Sequence, residues 1–190
     1  GCDAVTIDGF ECAGHPGEDD IPSLVLLPQA VEALDVPVVG CGGFSDAKSL
    51  VAALALGAEG IAMGTRFMAT KESLIHQNVK DKMTESDELS TNLMFRTMHN
   101  TARVFKNTIS DQVVEIESTG TATFEDVQDL VAGQRGRGVF EVGDLEAGIW
   151  SAGISVARVK DVPTCEELVS RMVSDAEAIM DGRLKEVRVS

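Results

Sequence analysis

The sequence contains no tyrosine, and aromatic residues make up only 4% of its 190 positions. It is also poor in bases, because 16 lysines and arginines stand against 31 acidic residues, which gives a formal charge of −15. Proteins that bind nucleic acid need basic groups to meet the phosphates and commonly use aromatic rings to stack on bases. The composition therefore excludes a nucleic-acid partner and favours a self-repelling, soluble surface.

Paired metal-binding motifs and long apolar runs are absent as well. The four cysteines form no Cys-x-x-Cys pair, and the three histidines make no metal-ligand spacing with them, so we expect no metal site. Unpaired thiols of this kind are typical of reduced cysteines in a cytoplasmic protein. No apolar run approaches the roughly 20 residues of a membrane span, so we expect no membrane partner.

Three short apolar segments alternate with helical patterns. We predict strands at residues 4–7, 36–40 and 60–63. We also predict a helix from Ser23 to Leu34, with Pro28 marking a break or a late start, and a helix capped by Asp46 that ends at Gly57. This alternation predicts βαβ units and a parallel α/β sheet. The chain starts without methionine and enters a strand almost at once, so we expect it to be a fragment whose N-terminal half is missing.

The alternation stops after Thr70. Residues 71–132 are predicted to be a separate, mostly helical layer. Its apolar residues fall on several helical stripes: Leu74, Val79 and Met83 on one, and Val104, Ile109, Val113 and Ile116 on others. Six glycines between positions 133 and 153 indicate one or two long loops there. A capping box at Thr164 predicts a final helix that runs to about Gly182.

Two glycine turns follow the second and third predicted strands, at residues 40–44 and 64–67. Glycine lets a backbone approach a ligand closely, and a helix N-terminus beyond it offers free N–H groups. A pair of such turns after the last two strands of a (β/α)₈ barrel commonly grips one phosphate. Two other interpretations stay open: purely structural turns, and a dinucleotide-binding turn of the Rossmann kind, although Ser45 stands where that motif needs glycine.

The loop after the first strand carries the candidate catalytic residue. His15 is flanked by Gly14, Pro16 and Gly17, and histidine there is either a proton-transfer group or a structural side chain. Asp8 at the strand end either binds a ligand hydroxyl or caps a turn. Residues 100–103 with Asn107 are interpreted as a polar stripe on a helix, facing either a cleft or solvent.

Five segments together resemble the C-terminal portion of the nitronate monooxygenase family, formerly called 2-nitropropane dioxygenases. They lie, in order, at residues 8–20, 42–44, 63–67, 100–103 and 148–151. The resemblance implies an FMN-dependent TIM (β/α)₈ barrel, of which this chain holds the last three βα units, with an added helical substrate domain. It implies barrel units at residues 1–72, a mainly helical substrate domain at 73–160, and a terminal helix at 161–190 that packs back on the barrel.

The same resemblance assigns roles to individual residues. His15 would face the substrate on the reactive side of the flavin. The cofactor-binding set would be Asp8, Ala13, Gly14, Cys41, Gly42, Gly43, Gly64 and Thr65. The glycines at 42, 43 and 64 with Thr65 would hold the phosphate, and Asp8, Ala13 and Gly14 would lie against the flavin.

The resemblance also implies the reaction, but with two branches. In this family the flavin takes electrons from a nitronate and passes them to oxygen, which gives a carbonyl compound and nitrite. The segment Cys12-Ala13-Gly14-His15-Pro16 departs from the pattern of established nitronate oxidisers and resembles a branch of NADH:quinone reductases. The expected partners are therefore small molecules, a nitronate or NADH and a quinone. A homodimer and a non-catalytic flavin-binding piece both stay open.

Overall fold

A computed structural model describes residues 1–187, and its first part is a three-stranded parallel sheet with helices between the strands. The strands lie side by side in chain order, with Val5 opposite Val38 and Val39 opposite Gly60. Their bounds are β1 Val5–Asp8, β2 Val38–Cys41 and β3 Gly60–Ile61. The α/β prediction is confirmed, although the second strand begins two residues later than expected.

Helices α1 (Ser23–Ala33) and α2 (Ala47–Ala55) connect these strands. Helix α2 begins as predicted, because the Asp46 side chain accepts from the Ser49 N–H and the Ser49 side chain caps the turn in return. Helix α1 differs from the prediction in two ways. Pro22 occupies the N-cap position, and the helix runs through Pro28 without ending. Buried Leu27 anchors this helix to the sheet together with Val38 and Phe44.

The remaining chain holds seven further helices within the described residues. They are α3 Thr65–Met68, α4 Gln77–Thr84, α5 Thr108–Glu117, α6 Phe124–Val127, α7 Gly133–Val142, α8 Cys165–Asp181 and α9 Arg183–Glu186. Short 3₁₀ turns lie at Arg96–Met98 and Ile154–Arg158. In residues 1–187 no helix combines the length and the apolar character that crossing a bilayer demands.

An antiparallel hairpin lies where the sequence predicted helix. Strands β4 (Thr91–Met94) and β5 (Ala102–Phe105) pair with each other, so the mostly helical prediction for residues 71–132 is wrong at this point. Val104 was assigned to a helical stripe, but it lies on strand β5. It packs in the same cluster as Val113 of helix α5, so the two residues meet in space and not along one helix.

Helix α7 is the second difference, because residues 133–142 were predicted to be loop. Gly136 in this helix and Gly148 in the segment facing it serve close packing rather than chain reversal. A Cβ at Gly136 would lie 2.7 Å from the carbonyl oxygen of Ile149, and one at Gly148 would lie 2.6 Å from Arg135. The helix therefore approaches the segment at 147–149 at backbone distance, which only glycine permits.

The terminal helix confirms the capping-box prediction. The Thr164 side chain accepts from the Glu167 N–H, and α8 then runs to Asp181 with Gly182 as its C-cap. It packs on α2 through Leu168, Met172 and Ala176. The final three residues of the expected unit at 161–190 lie outside the described part.

Trp150 lies at the centre of the largest cluster and is 2% exposed. Its ring stacks on Phe105 with the centroids 4.1 Å apart. Its carbonyl accepts from the Phe105 N–H at 2.8 Å. This residue therefore joins the hairpin to helices α4 and α7.

We predict that Trp150→Ala lowers the free energy of unfolding of the intact protein by about 3–5 kcal/mol, since it leaves a large cavity and removes a stacked pair. Phe124→Ala is the control, because Phe124 is 56% exposed and its loss should change stability by about 0.5 kcal/mol or less. Urea unfolding followed by circular dichroism measures both. Equal effects for the two variants would contradict the role given to Trp150.

Candidate functional site

The carboxyl ends of the three parallel strands open into one cavity of about 120 Å³. Seven of the predicted cofactor-binding residues line it, namely Asp8, Ala13, Cys41, Gly42, Gly43, Gly64 and Thr65. Ligands of parallel sheets bind at this edge because the strand ends and the loops after them converge there. The residues that the sequence set apart in three separate turns are thus brought together by the fold.

The turn after β2 is shaped by two glycines in the left-handed region. Gly42 has φ +79° and Gly43 has φ +85°. A Cβ at Gly42 would lie 2.8 Å from the carbonyl oxygen of Gly9, so this turn packs directly on the backbone of the first loop. Glycine is required at position 42 by the fold itself.

Gly64, after β3, is different. Its φ of −89° suits any residue, and a Cβ built there meets no atom within 4 Å. The residue is exposed, and its missing side chain leaves open space toward the cavity. The Gly42 N–H lies against the Cys41 sulfur, whereas, within residues 1–187, the N–H groups of Gly43 and Gly64 donate to no protein acceptor. These groups are free to bind a ligand.

The predicted helix N-termini contribute less than expected. Helix α2 is already capped by Asp46, and α3 is a single turn of four residues. The lining of the cavity includes the carboxylates of Asp8 and Glu11 and no basic side chain. An anionic ligand at the glycine turns would therefore depend on main-chain N–H groups.

Three residues that were not among the predicted site residues hold the cavity walls. The Glu11 carboxylate accepts from the Ser23 N–H at 2.9 Å, and the Ser23 hydroxyl donates to the Gly42 carbonyl at 2.7 Å. The Gly153 N–H donates to the Thr65 hydroxyl oxygen at 2.9 Å. These contacts join residues far apart in sequence, so no local spacing could have revealed them.

Two cysteines face the same cavity. Burial and, after it, the neighbouring Asp8 carboxylate together raise the pKa of the Cys41 thiol to about 12. Burial, followed by the charge of Asp8, also raises the pKa of Cys12. Both thiols are therefore neutral near pH 7, and neither is prepared as a nucleophile.

His15 and Gly14 lie outside the lining of the cavity. Gly14 forms an antiparallel bridge with Arg103 on β5, with N–H···O distances of 3.0 and 2.6 Å. His15 follows on the same loop with an exposed side chain. The interpretation of residues 100–103 and Asn107 as a helical polar stripe is wrong, because Arg103 is on a strand and Asn107 caps α5.

Comparison with known proteins identifies the family. The family model described as nitronate monooxygenase matches residues 1–175. The chain belongs to the nitronate monooxygenase family. A curated relative from Bacillus subtilis, described as a probable nitronate monooxygenase, is 28% identical over 92% of this chain and 52% of its own length.

Other proteins that resemble this chain carry different names. A Rhodococcus jostii protein is 30% identical over 96% of the chain and 61% of its own length, and it is named as a dehydrogenase of a hydroxy-methyl-oxo-octahydro-indene-carboxyl-CoA. The solved structure of FabK from Thermotoga maritima superposes with a TM-score of 0.90 at 27% identity, covering 98% of this chain and 58% of that one.

A nitroalkane oxidase from Streptomyces ansochromogenes gives a TM-score of 0.72 at 30% identity, covering 94% of this chain and 54% of that one. The chain thus spans between about half and three fifths of the relatives that it matches. A cavity of 120 Å³ is likewise smaller than the roughly 300 Å³ at which ligand pockets begin.

We predict opposite stability effects for two glycine substitutions in this cavity. Gly42→Ala should destabilise the protein by about 1–3 kcal/mol, because it combines a positive φ with a backbone clash. Gly64→Ala should be neutral within about 0.5 kcal/mol, because its Cβ enters open space. Thermal unfolding of both variants decides the matter, and a large loss for Gly64→Ala would mean that the fold, not a ligand, requires that glycine.

Proposed function

We propose that this chain is the C-terminal part of an FMN-dependent TIM (β/α)₈ barrel oxidoreductase that oxidises nitronates with oxygen to a carbonyl compound and nitrite. The strands at residues 5–61 would be the last three of the barrel, and residues 73–160 an added substrate domain built from helices and the β4–β5 hairpin. The observation that carries the proposal is the cavity at the strand ends, where free main-chain N–H groups and open space coincide.

The residues of the cavity suit two parts of FMN, its phosphate and its ring system, although the 120 Å³ that this chain encloses holds only a portion of such a ligand. Within the described residues, the N–H groups of Gly43 and Gly64 are unpartnered donors suited to a phosphate, with Gly42 in the same turn. The Thr65 hydroxyl accepts from Gly153 and keeps its own hydrogen for donation. Asp8, Ala13 and Cys41 line the rest of the wall, where the ring system would lie. Bound FMN would supply a two-electron acceptor that returns its electrons to oxygen.

His15 would handle the proton. Its exposed imidazole follows Gly14, the residue at which the loop is fixed to β5. Imidazole accepts or donates a proton near neutral pH. It would take a proton from a nitroalkane carbon, or hold one that stabilises negative charge on a substrate oxygen. Gly153 and Ser155, both buried, line the same cavity.

NADH:quinone reduction on the same barrel is the second candidate. The observation that favours it is the sequence Cys12-Ala13-Gly14-His15-Pro16, which departs from the pattern of established nitronate oxidisers. Cys12 is buried and lines the cavity, so this departure alters the wall itself. A second reaction is also supported by the 30% identical relative that is named as a dehydrogenase rather than as a monooxygenase.

We expect Gly64→Val to lower the flavin content of the purified intact protein at least tenfold while its melting temperature in the flavin-free form stays unchanged. The branched side chain would fill the open space at the turn and keep a phosphate from the N–H groups. Gly60→Ala, at a strand position where a Cβ also meets nothing within 4 Å, is the control. Normal flavin content in Gly64→Val would move the phosphate site elsewhere.

For His15→Asn we predict retained FMN and a slower reaction per bound flavin, by about 10²- to 10⁴-fold, since proton transfer by a positioned side chain contributes that much. The measurement is anaerobic flavin reduction by a nitronate, and separately by NADH, followed by reoxidation with oxygen or a quinone. The donor that reduces the wild-type protein identifies the reaction. An unchanged rate per flavin with both donors would remove His15 from the mechanism.

A further inference from the structure

Arg103 is a buried cation that no carboxylate meets. The residue is 3% exposed, and within the described chain no Asp or Glu oxygen lies within ion-pair distance of it. Burial lowers the pKa of its guanidinium, although arginine remains charged in proteins. Buried charges are normally paired, because removing them from water is costly. The burial of this guanidinium without a carboxylate partner therefore needs a structural or functional explanation.

The guanidinium donates to two neutral oxygens. One terminal nitrogen donates to the Phe10 carbonyl at 2.9 Å, and the other to the Thr91 hydroxyl at 3.2 Å. The group also lies over the Phe10 ring, with 4.5 Å between its central carbon and the ring centroid. The Nε of Arg103 is buried without a partner. The side chain thus leaves its Nε–H donor unpaired while it holds both the carbonyl and the ring of Phe10.

The main chain of Arg103 also binds the loop, through two hydrogen bonds to Gly14. The Arg103 N–H donates to the Gly14 carbonyl at 2.6 Å, and the Gly14 N–H donates to the Arg103 carbonyl at 3.0 Å. Arg103 therefore fixes Phe10 by its side chain and Gly14 by its backbone. The segment between these two points carries Cys12 and Ala13, which line the cavity, and His15 follows directly.

The other contacts between the hairpin and this loop lie beyond His15. Glu18 accepts from the N–H and the hydroxyl of Thr101, at 2.7 and 2.5 Å. Arg96 pairs with Asp20 at 2.9 Å, and both side chains are more than 40% exposed. His15 is consequently held between an inner attachment at Arg103 and an outer one at Thr101.

We propose that Arg103 is the positioning residue for His15. Its hydrogen bonds to Phe10 and Gly14 fix the position of the loop relative to the cavity. This inference rests on the proposed function, in which His15 transfers a proton at that cavity. A guanidinium suits this task because its rigid fork donates in two fixed directions. An apolar residue of similar size would fill the space and avoid the burial cost, but it would leave the Phe10 carbonyl free to move.

The test uses Arg103→Met and Arg103→Lys in the intact protein, with Arg96→Met as the matched control. Arg96 lies on the same hairpin, but its exposed ion pair contributes little. Two readouts are needed. The first is alkylation of Cys12, mapped by mass spectrometry of its peptide, because that thiol is only 8% exposed while the loop is in place. The second is the rate of flavin reduction per bound flavin, in wild-type and His15→Asn backgrounds.

We expect Arg103→Met to increase Cys12 alkylation severalfold and to slow flavin reduction by about 10²-fold, the loss that a shift of about 1 Å can cause. Arg103→Lys should be intermediate, and Arg96→Met should match the wild type. In the His15→Asn background, Arg103→Met should cause no further slowing, because coupled residues are non-additive.

Two results would overturn the proposal. One is unchanged Cys12 alkylation in both Arg103 variants, which would mean that the loop does not depend on this side chain. The other is full additivity with His15→Asn, which would mean that Arg103 acts on something other than His15. If Arg103→Met fails to fold, Arg103→Lys carries both measurements. If the protein binds no flavin or His15→Asn is silent, the proposed function fails, whereas increased Cys12 alkylation would still show Arg103 to hold the loop.

Discussion

The candidate site depends on the first loop being held at backbone distance from its neighbours on two sides. On one side Gly42 packs against Gly9 so closely that a Cβ would lie 2.8 Å from a carbonyl oxygen. On the other side Gly14 exchanges two main-chain hydrogen bonds with Arg103. Such contacts leave almost no freedom for side-chain adjustment. The position of every residue between Gly9 and Gly14 follows from them, including Glu11, Cys12 and Ala13, which line the cavity.

Much of the parallel part of the fold could be read from the sequence because its signals are local. Apolar strands, the Asp46 cap and the Thr164 capping box each lie within a few residues, and each was recovered. The hairpin could not be recovered in this way. Its strand β5 is buried at all four positions, so it lacks the alternation that distinguishes a strand from a helix.

In the candidate site, too, the features with local sequence signals were predicted and those that depend on distant contacts were not. The glycine turns and Asp8 were identifiable, since they follow strand ends, and seven of the expected residues do meet in one cavity. The supports of that cavity were not identifiable, because Glu11 reaches Ser23 and Thr65 reaches Gly153 only through the folded chain. The role of glycine also differed between turns. Gly42 is required by its own backbone, whereas Gly64 leaves space that the protein does not use.

The hydrogen bond between Thr65 and Gly153 has a consequence for biosynthesis. It spans 88 residues, and the neighbouring Ile154 N–H donates to the Glu11 carbonyl over a still longer stretch of chain. During translation the sheet and its glycine turns emerge before Gly153, which completes the cavity wall. A nascent chain that has not yet released Gly153 from the ribosome therefore presents an incomplete cavity, and a ligand that needs all of its walls is captured only after that residue has emerged.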